Sequence, residues 1–297
     1  MRWPPRVTPY VELTKPRITM MVLLSTGAGF VAAGREDWQA IALLQTLIAT
    51  GLLASGTAAL NQWYERDSDA AMRRTRRRPI PSGRVPPRHA LAFGVVLVVA
   101  GTAALLGAAN ARAAVAGLIT ALVYLLVYTP LKRRSSLCVF AGAFAGAMPP
   151  LIGSAAALDR VDPIGFSLFA LLFVWQVPHV YAIAMIYRDD YDRAGLHMLP
   201  ASTDRRGDAG LHIVAWSMLL AVVSFGPAAI GAAGPGYVAC AAALNVVFAY
   251  YAVRVWMEPS VPQARRVLLA SVAYLPALLG MTAIDPALPH VLAPLFH

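Results

Sequence analysis

The chain has 297 residues, 58% of them hydrophobic and only 13% charged, with a formal net charge of +10. Ordinary soluble domains are about 45–50% apolar and about 25% charged, so that class is excluded. The pI of 10.1 does not indicate nucleic-acid binding either, because the basic residues are scattered over short connections where anionic lipid and membrane topology account for them.

A membrane-spanning helix needs roughly 20 apolar residues. Nine such runs are predicted, over 18–34, 41–64, 89–109, 113–130, 136–157, 164–187, 209–231, 236–256 and 266–284. The alternating segments of about ten residues that build an outer-membrane barrel are missing. The reading is an all-α, polytopic membrane protein with a single domain over 1–297. No signal or transit peptide is evident before the first run, which suits a bacterial inner membrane.

With the N-terminus in the cytoplasm, 22 of the 25 Lys and Arg residues fall in cytoplasmic segments; only Arg35, Arg112 and Arg160 lie across the membrane. Adding or losing one span would scramble that split. Two long cytoplasmic loops result, at about 65–88 and 187–208.

The first polar constellation closes span 2. Asn61, Glu65 and Asp69 recur every four residues and so share one helix face, while Asp67 points elsewhere unless the helix unwinds. Oxygen side chains in this register suit Mg²⁺, which takes one or two carboxylates plus substrate phosphate. The plain alternative is a helix end entering water. Arg73, Arg74, Arg76, Arg77 and Arg78 follow. Such a run is first a topology signal, but arginine is also the side chain best shaped to grip phosphate.

Span 4 ends in Tyr124, Tyr128 and Lys132, again four apart: two aromatic faces leading to a cation, where interfacial anchors also occur. Cys138 and Cys240 fall inside apolar segments and form neither a metal-ligand pattern nor a disulfide framework.

Span 6 carries Trp175, Gln176, Pro178 and His179 and runs into Arg188, Asp189, Asp190 and Asp192. A continuous helix would place His179 and Asp190 on the same face, about 16 Å apart in depth. A mid-membrane histidine either serves a site or hydrogen-bonds a neighbouring helix, the carbonyl freed by Pro178 being one candidate acceptor.

These residues resemble the UbiA-type intramembrane prenyltransferases. Asn61, Glu65 and Asp69 match that family's first acidic motif, with Glu65 where Asp is usual. Arg74, Thr75, Arg78 and Pro79 match its Arg-Thr-x-x-Arg-Pro continuation, and Tyr128 with Lys132 its Tyr-x-x-x-Lys element. The stretch 13–18, the 175–179 element and the run from Arg188 to Pro200 are similar to the haem-farnesylating branch. Asp190 is followed at +4 by Ala194 rather than the second Asp of general members, leaving Asp189, Asp190 and Asp192 as alternative ligands.

The resemblance implies nine helices around a central cavity, with haem B and farnesyl diphosphate as substrates and Mg²⁺ as cofactor. It implies metal ligands among Asn61, Glu65, Asp67, Asp69, Asp189 and Asp190, and diphosphate contacts from Arg74, Arg78, Lys132 and Arg188. Catalytic roles go to Asn61, Glu65, Asp69, Lys132 and Asp190; haem or prenyl contacts go to Tyr124, Tyr128, Trp175 and His179. A haem A synthase or a terminal oxidase is the kind of assembly partner it suggests, with no nucleic acid involved. Two rivals remain: the same diphosphate chemistry on an aromatic or quinone-precursor acceptor, and a haem-binding module or transporter without chemistry.

Overall fold

The computed structural model describes residues 7–34, 37–160, 162–198 and 206–285. Leu199 and Pro200, the end of the second loop's family-like stretch, lie outside the described residues.

Among the described residues nine helices are long and apolar enough to cross a membrane: Pro16–Gly34, Ala40–Tyr64, Pro87–Ala108, Ala111–Leu131, Cys138–Leu158, Pro163–Ile186, Asp208–Ala229, Pro235–Met257 and Val261–Ile284. All nine predicted spans are present, with ends within a few residues of those expected. Helices are the form in which a lipid-embedded chain satisfies every backbone N–H and C=O within one segment.

Spans 5 and 6 are the interior of the bundle: 67% and 50% of their most apolar stretches are buried, against 22% for spans 3, 4 and 8. Lipid gives helices no hydrophobic reason to associate, so close packing of small residues does that work. Span 1 meets span 5 where a side chain on Gly29 would collide with Pro150. Span 2 meets span 3 at Gly56, where a Cβ would lie 2.6 Å from the Val98 nitrogen.

Two spans depart from regular helix. Span 5 divides at Met148, ahead of Pro149 and Pro150. Span 4 opens into a π-turn over Val123–Tyr128, and the Thr129 N–H reaches back five residues to the Tyr124 carbonyl. Pro130 supplies the cause: its ring opposes the carbonyl four residues back, and a wider turn relieves that clash.

The polar contacts separate to the two ends. At one end Arg112 pairs with Asp159 at 2.6 Å, and the buried Asp285 carboxylate accepts from the Gly234 N–H. At the other end lie the contacts of the two acidic segments and their neighbours: Glu12 with Arg84, Glu65 with Lys132, Asp69 with Arg78, and Asp190 with the 73–74 backbone.

Candidate functional site

Span 2 ends at Tyr64 and a short helix, Arg66–Ala71, follows. The break does not cost the register. Glu65 N–H donates to the Asn61 carbonyl at 2.9 Å and Asp69 N–H to the Glu65 carbonyl at 2.8 Å, so the three oxygen side chains remain stacked. Asn61 and Asp69 are fully buried.

Each of the three holds a cation brought by a different part of the chain. Lys15 Nζ donates to Asn61 Oδ1 at 2.7 Å, and Lys132 Nζ to Glu65 Oε1 at 2.6 Å. Arg78 Nη1 spans both oxygens of Asp69, at 2.8 and 2.7 Å. Asn61 Nδ2 donates to Thr129 Oγ1 at 3.1 Å, tying span 2 to the π-turn of span 4. Burial alone would raise the Glu65 pKa, but Lys132 and Lys15 beside it hold it below the ordinary value. Burial opposes the Lys132 charge, yet Tyr128 and Glu65 keep its pKa well above that of a free lysine.

Lys15 is the residue that sequence reasoning missed. Its charge is hard to hold: burial, followed by repulsion from Arg78, lowers its pKa to about 7. Its backbone is also unusual, with φ +47° in a non-glycine residue. Strain of this kind is retained where surrounding contacts over-determine a conformation, here the Asn61 bond and the start of span 1 at Pro16. The sequence carried a signal, a Lys-Pro step before an apolar run, but its partner Asn61 is 46 residues away.

Asp67 does not join this face. It is exposed and lies 3.8 Å from Arg66. Of the arginine run, Arg78 enters the cluster, whereas Arg73, Arg76 and Arg77 are exposed. Arg74 turns toward the second loop: its guanidinium lies 4.7 Å from the Tyr187 ring centre, and Nη2 donates to the Tyr191 hydroxyl at 3.2 Å.

The second acidic segment differs from expectation. Span 6 stops at Ile186, Tyr187 leaves helical geometry, and Asp190 sits on a separate short helix, Arg188–Arg193. Tyr187 N–H still donates to the Ile183 carbonyl at 3.0 Å and Tyr191 N–H to the Tyr187 carbonyl at 3.1 Å, so backbone bonds cross this break too. Asp190 accepts from the backbone N–H groups of Arg73 and Arg74, at 3.3 and 3.2 Å, and pairs with the Arg193 guanidinium. Burial would raise its pKa; these donors outweigh it and hold the carboxyl below its usual value. Asp189 and Asp192 are exposed, and Arg188 lies 3.9 Å from Asp192.

Tyr124 and Tyr128 keep company despite the π-turn, with ring centres 4.9 Å apart, and Lys132 Nζ lies 4.2 Å from the centre of the Tyr128 ring. Below this stack a cavity of about 120 Å³ opens between spans 1, 2, 4 and 5. Its walls are apolar, with Leu53, Gly117 and Ile152 among them; Lys15 and Tyr124 bring it to the charged cluster.

Trp175 and His179 lie away from that cavity's lining. Their rings stack at 4.7 Å. His179 Nδ1 is 2.7 Å from Ser271 Oγ on span 9, so its partner is that neighbouring helix and not the carbonyl freed by Pro178.

The donor set bears on Mg²⁺. Among the described residues no three acidic, His or Cys side chains converge closely enough to hold a metal by themselves. Asn61, Glu65 and Asp69 are hard oxygen donors that already hold cations, and Mg²⁺ characteristically adds phosphate oxygens and water to one or two carboxylates. The residues fit a metal that arrives with a diphosphate.

A sequence profile of the UbiA prenyltransferase family matches residues 22–275. The chain is 46% identical over 285 residues to the protoheme IX farnesyltransferase of Solibacter usitatus, covering 93% of this chain and 98% of the relative. It is 40% identical over 282 residues to the protoheme IX farnesyltransferase of Opitutus terrae, covering 93% and 94%. Among solved structures it superposes on a digeranylgeranylglyceryl phosphate synthase with TM-score 0.78 at 16% identity, covering 95% of this chain and 98% of that one. It superposes on a UbiA homologue from Archaeoglobus fulgidus bound to GPP and Mg²⁺ with TM-score 0.64 at 14% identity, covering 93% and 99%. Those likenesses establish the fold, and with it a multi-pass membrane protein. With the profile and two near-full-length relatives in agreement, the chain belongs to the UbiA prenyltransferase family, on its protoheme IX farnesyltransferase branch.

Proposed function

We propose that this protein transfers the farnesyl group of farnesyl diphosphate to a vinyl group of haem B, with addition of water, giving haem O and diphosphate. The observation that carries the donor half is the set of buried pairs above an apolar cavity: Lys132 and Arg78 balance Glu65 and Asp69, and Lys15, its pKa lowered to about 7, becomes a third cation when a diphosphate arrives beside it. The acceptor half rests on the relatives, which are protoheme IX farnesyltransferases.

Asn61, Glu65 and Asp69 would hold Mg²⁺ together with the diphosphate. When bound, the metal screens the negative charge that builds on the leaving group. Arg78, Lys132 and Lys15 release their present partners toward the phosphate oxygens, and Arg74 adds a further donor. The farnesyl tail lies in the cavity between spans 1, 2, 4 and 5, where apolar walls keep water from the allylic cation. The faces of Tyr124 and Tyr128 stabilise that cation.

The allylic C–O bond breaks with its electron pair leaving on diphosphate. The vinyl π pair then forms the new C–C bond, and water adds to the resulting cation and loses a proton. The site faces the cytoplasm of a bacterial inner membrane, with the N-terminus on that side, in keeping with the 22 to 3 division of basic residues.

The test is product analysis. Purified protein is incubated with haem B, farnesyl diphosphate and Mg²⁺, and the haem is examined by chromatography and mass spectrometry. A farnesylated, hydrated haem that disappears with chelator is expected. Prenylation of an aromatic acceptor instead would discard the haem assignment and keep the donor site.

A further inference from the structure

Span 6 is enclosed by spans 1, 5, 7 and 9, yet one of its faces is incompletely covered. Phe173, Gln176, Val180, Ile183 and Tyr187 follow one another at steps of three or four, and all remain partly exposed, as do Trp175 and His179 beside them. The face leads to Tyr187, against which Arg74 rests.

Ser271 of span 9 governs the two rings on this face. Its carbonyl accepts from Trp175 Nε1 at 2.9 Å, and its hydroxyl lies 2.7 Å from His179 Nδ1. The same hydroxyl is 2.6 Å from the Leu268 carbonyl. A serine hydroxyl has one proton. If it went to His179, the Leu268 carbonyl and Ser271 Oγ would face each other at 2.6 Å with no hydrogen between them. The proton therefore goes to Leu268, and Nδ1 of His179 must be the donor to Ser271 Oγ.

That assigns the tautomer: the proton sits on Nδ1 and the lone pair on Nε2. Nε2 has no hydrogen-bond partner among the described residues. A neutral imidazole with one nitrogen donating to a fixed acceptor and the other carrying a free lone pair is the form in which histidine binds metals, and the second hydrogen bond sets ring orientation and basicity. Trp175, stacked 23° from parallel on the imidazole, limits the ring's remaining freedom.

We propose that Ser271 and Trp175 hold His179 so that its Nε2 is an axial ligand to the iron of the haem acceptor. This rests on the haem reading above. Iron ligation would anchor the haem against span 6 independently of the diphosphate site, which the cavity between spans 1, 2, 4 and 5 serves. Ser271 is then a positioning residue acting through His179.

The experiment needs no turnover. Full-length protein in lipid nanodiscs is titrated with ferric haem B alone, and absorption and resonance Raman spectra are recorded for wild type, His179→Gln, Ser271→Ala and Ser271→Thr. The wild type is expected to show a histidine-ligated spectrum. His179→Gln should lose it, with free imidazole restoring it. Ser271→Ala should keep a histidine ligand but shift the iron–nitrogen band and weaken haem binding roughly 10-fold, while Ser271→Thr, which retains the hydroxyl, recovers both. An unchanged spectrum in folded His179→Gln overturns the ligand assignment, and a Ser271→Ala protein identical to wild type overturns the tautomer argument. If wild type makes farnesylated haem but binds haem without histidine ligation, this inference fails and the haem reading stands. If wild type binds no haem while prenylating another acceptor, both fail.

Discussion

The two acidic segments at the ends of spans 2 and 6 look alike in sequence and make different contacts. After span 2 the helix breaks at Glu65, yet two successive i to i−4 hydrogen bonds carry the register through, so Asn61, Glu65 and Asp69 converge. Each holds the charged end of a long side chain. After span 6 two i to i−4 bonds likewise cross the break at Tyr187, but there Asp190 closes on the backbone of the 73–74 segment. Side-chain cations can move to an arriving diphosphate; backbone N–H groups cannot leave. On the proposed reading the first segment is the one that can exchange its partners for a diphosphate and its metal, whereas the second, as folded, braces the loop that carries the arginines.

The largest test of this contrast is Asp69→Asn. It removes one charge from the first segment while keeping the shape, and Arg78, being partly exposed, can turn to water. Turnover is expected to fall at least about 100-fold, with the melting temperature little changed. Normal turnover in haem O formation assays would remove Asp69 from the metal site.

Asp190→Asn should act more gently and by another route. Loss of the brace loosens Arg74, so KM for farnesyl diphosphate rises by roughly 10-fold, an effect worth about 1.4 kcal/mol, with the Mg²⁺ concentration for half-maximal rate unchanged. A shifted Mg²⁺ requirement would instead make Asp190 a ligand and erase the difference between the two segments. Asp67→Asn and Asp189→Asn, at exposed positions, serve as controls and should stay within about twofold of wild type.

The smallest effect concerns Lys15. Its pKa is lowered to about 7 in the folded protein against 10.5 for a free lysine. Between those values the unfolded chain binds the extra proton, so folded stability increases as pH rises through this window. Without substrates, the melting temperature should climb modestly from pH 7 to pH 9, and Lys15→Met should flatten that slope. A slope unaltered by the substitution would show that the Lys15 proton is not its source.

Much of this was legible in sequence. The nine apolar runs and the one-sided placement of basic residues determined the number of spans, because length and charge are local properties that a bilayer reads directly. The four-residue spacing of Asn61, Glu65 and Asp69 likewise specified a shared face, since that register is a property of a single helix.

What lay beyond sequence is every contact between segments. Lys15 reaching Asn61, Asp190 closing on the backbone of Arg73 and Arg74, and Ser271 of span 9 setting the proton on His179 of span 6 are separated by 46 to 117 positions. No periodicity encodes such pairings. They follow from how glycine-lined spans pack and where helices break, and it is that packing which decides which polar atoms are already engaged and which are left to meet a substrate.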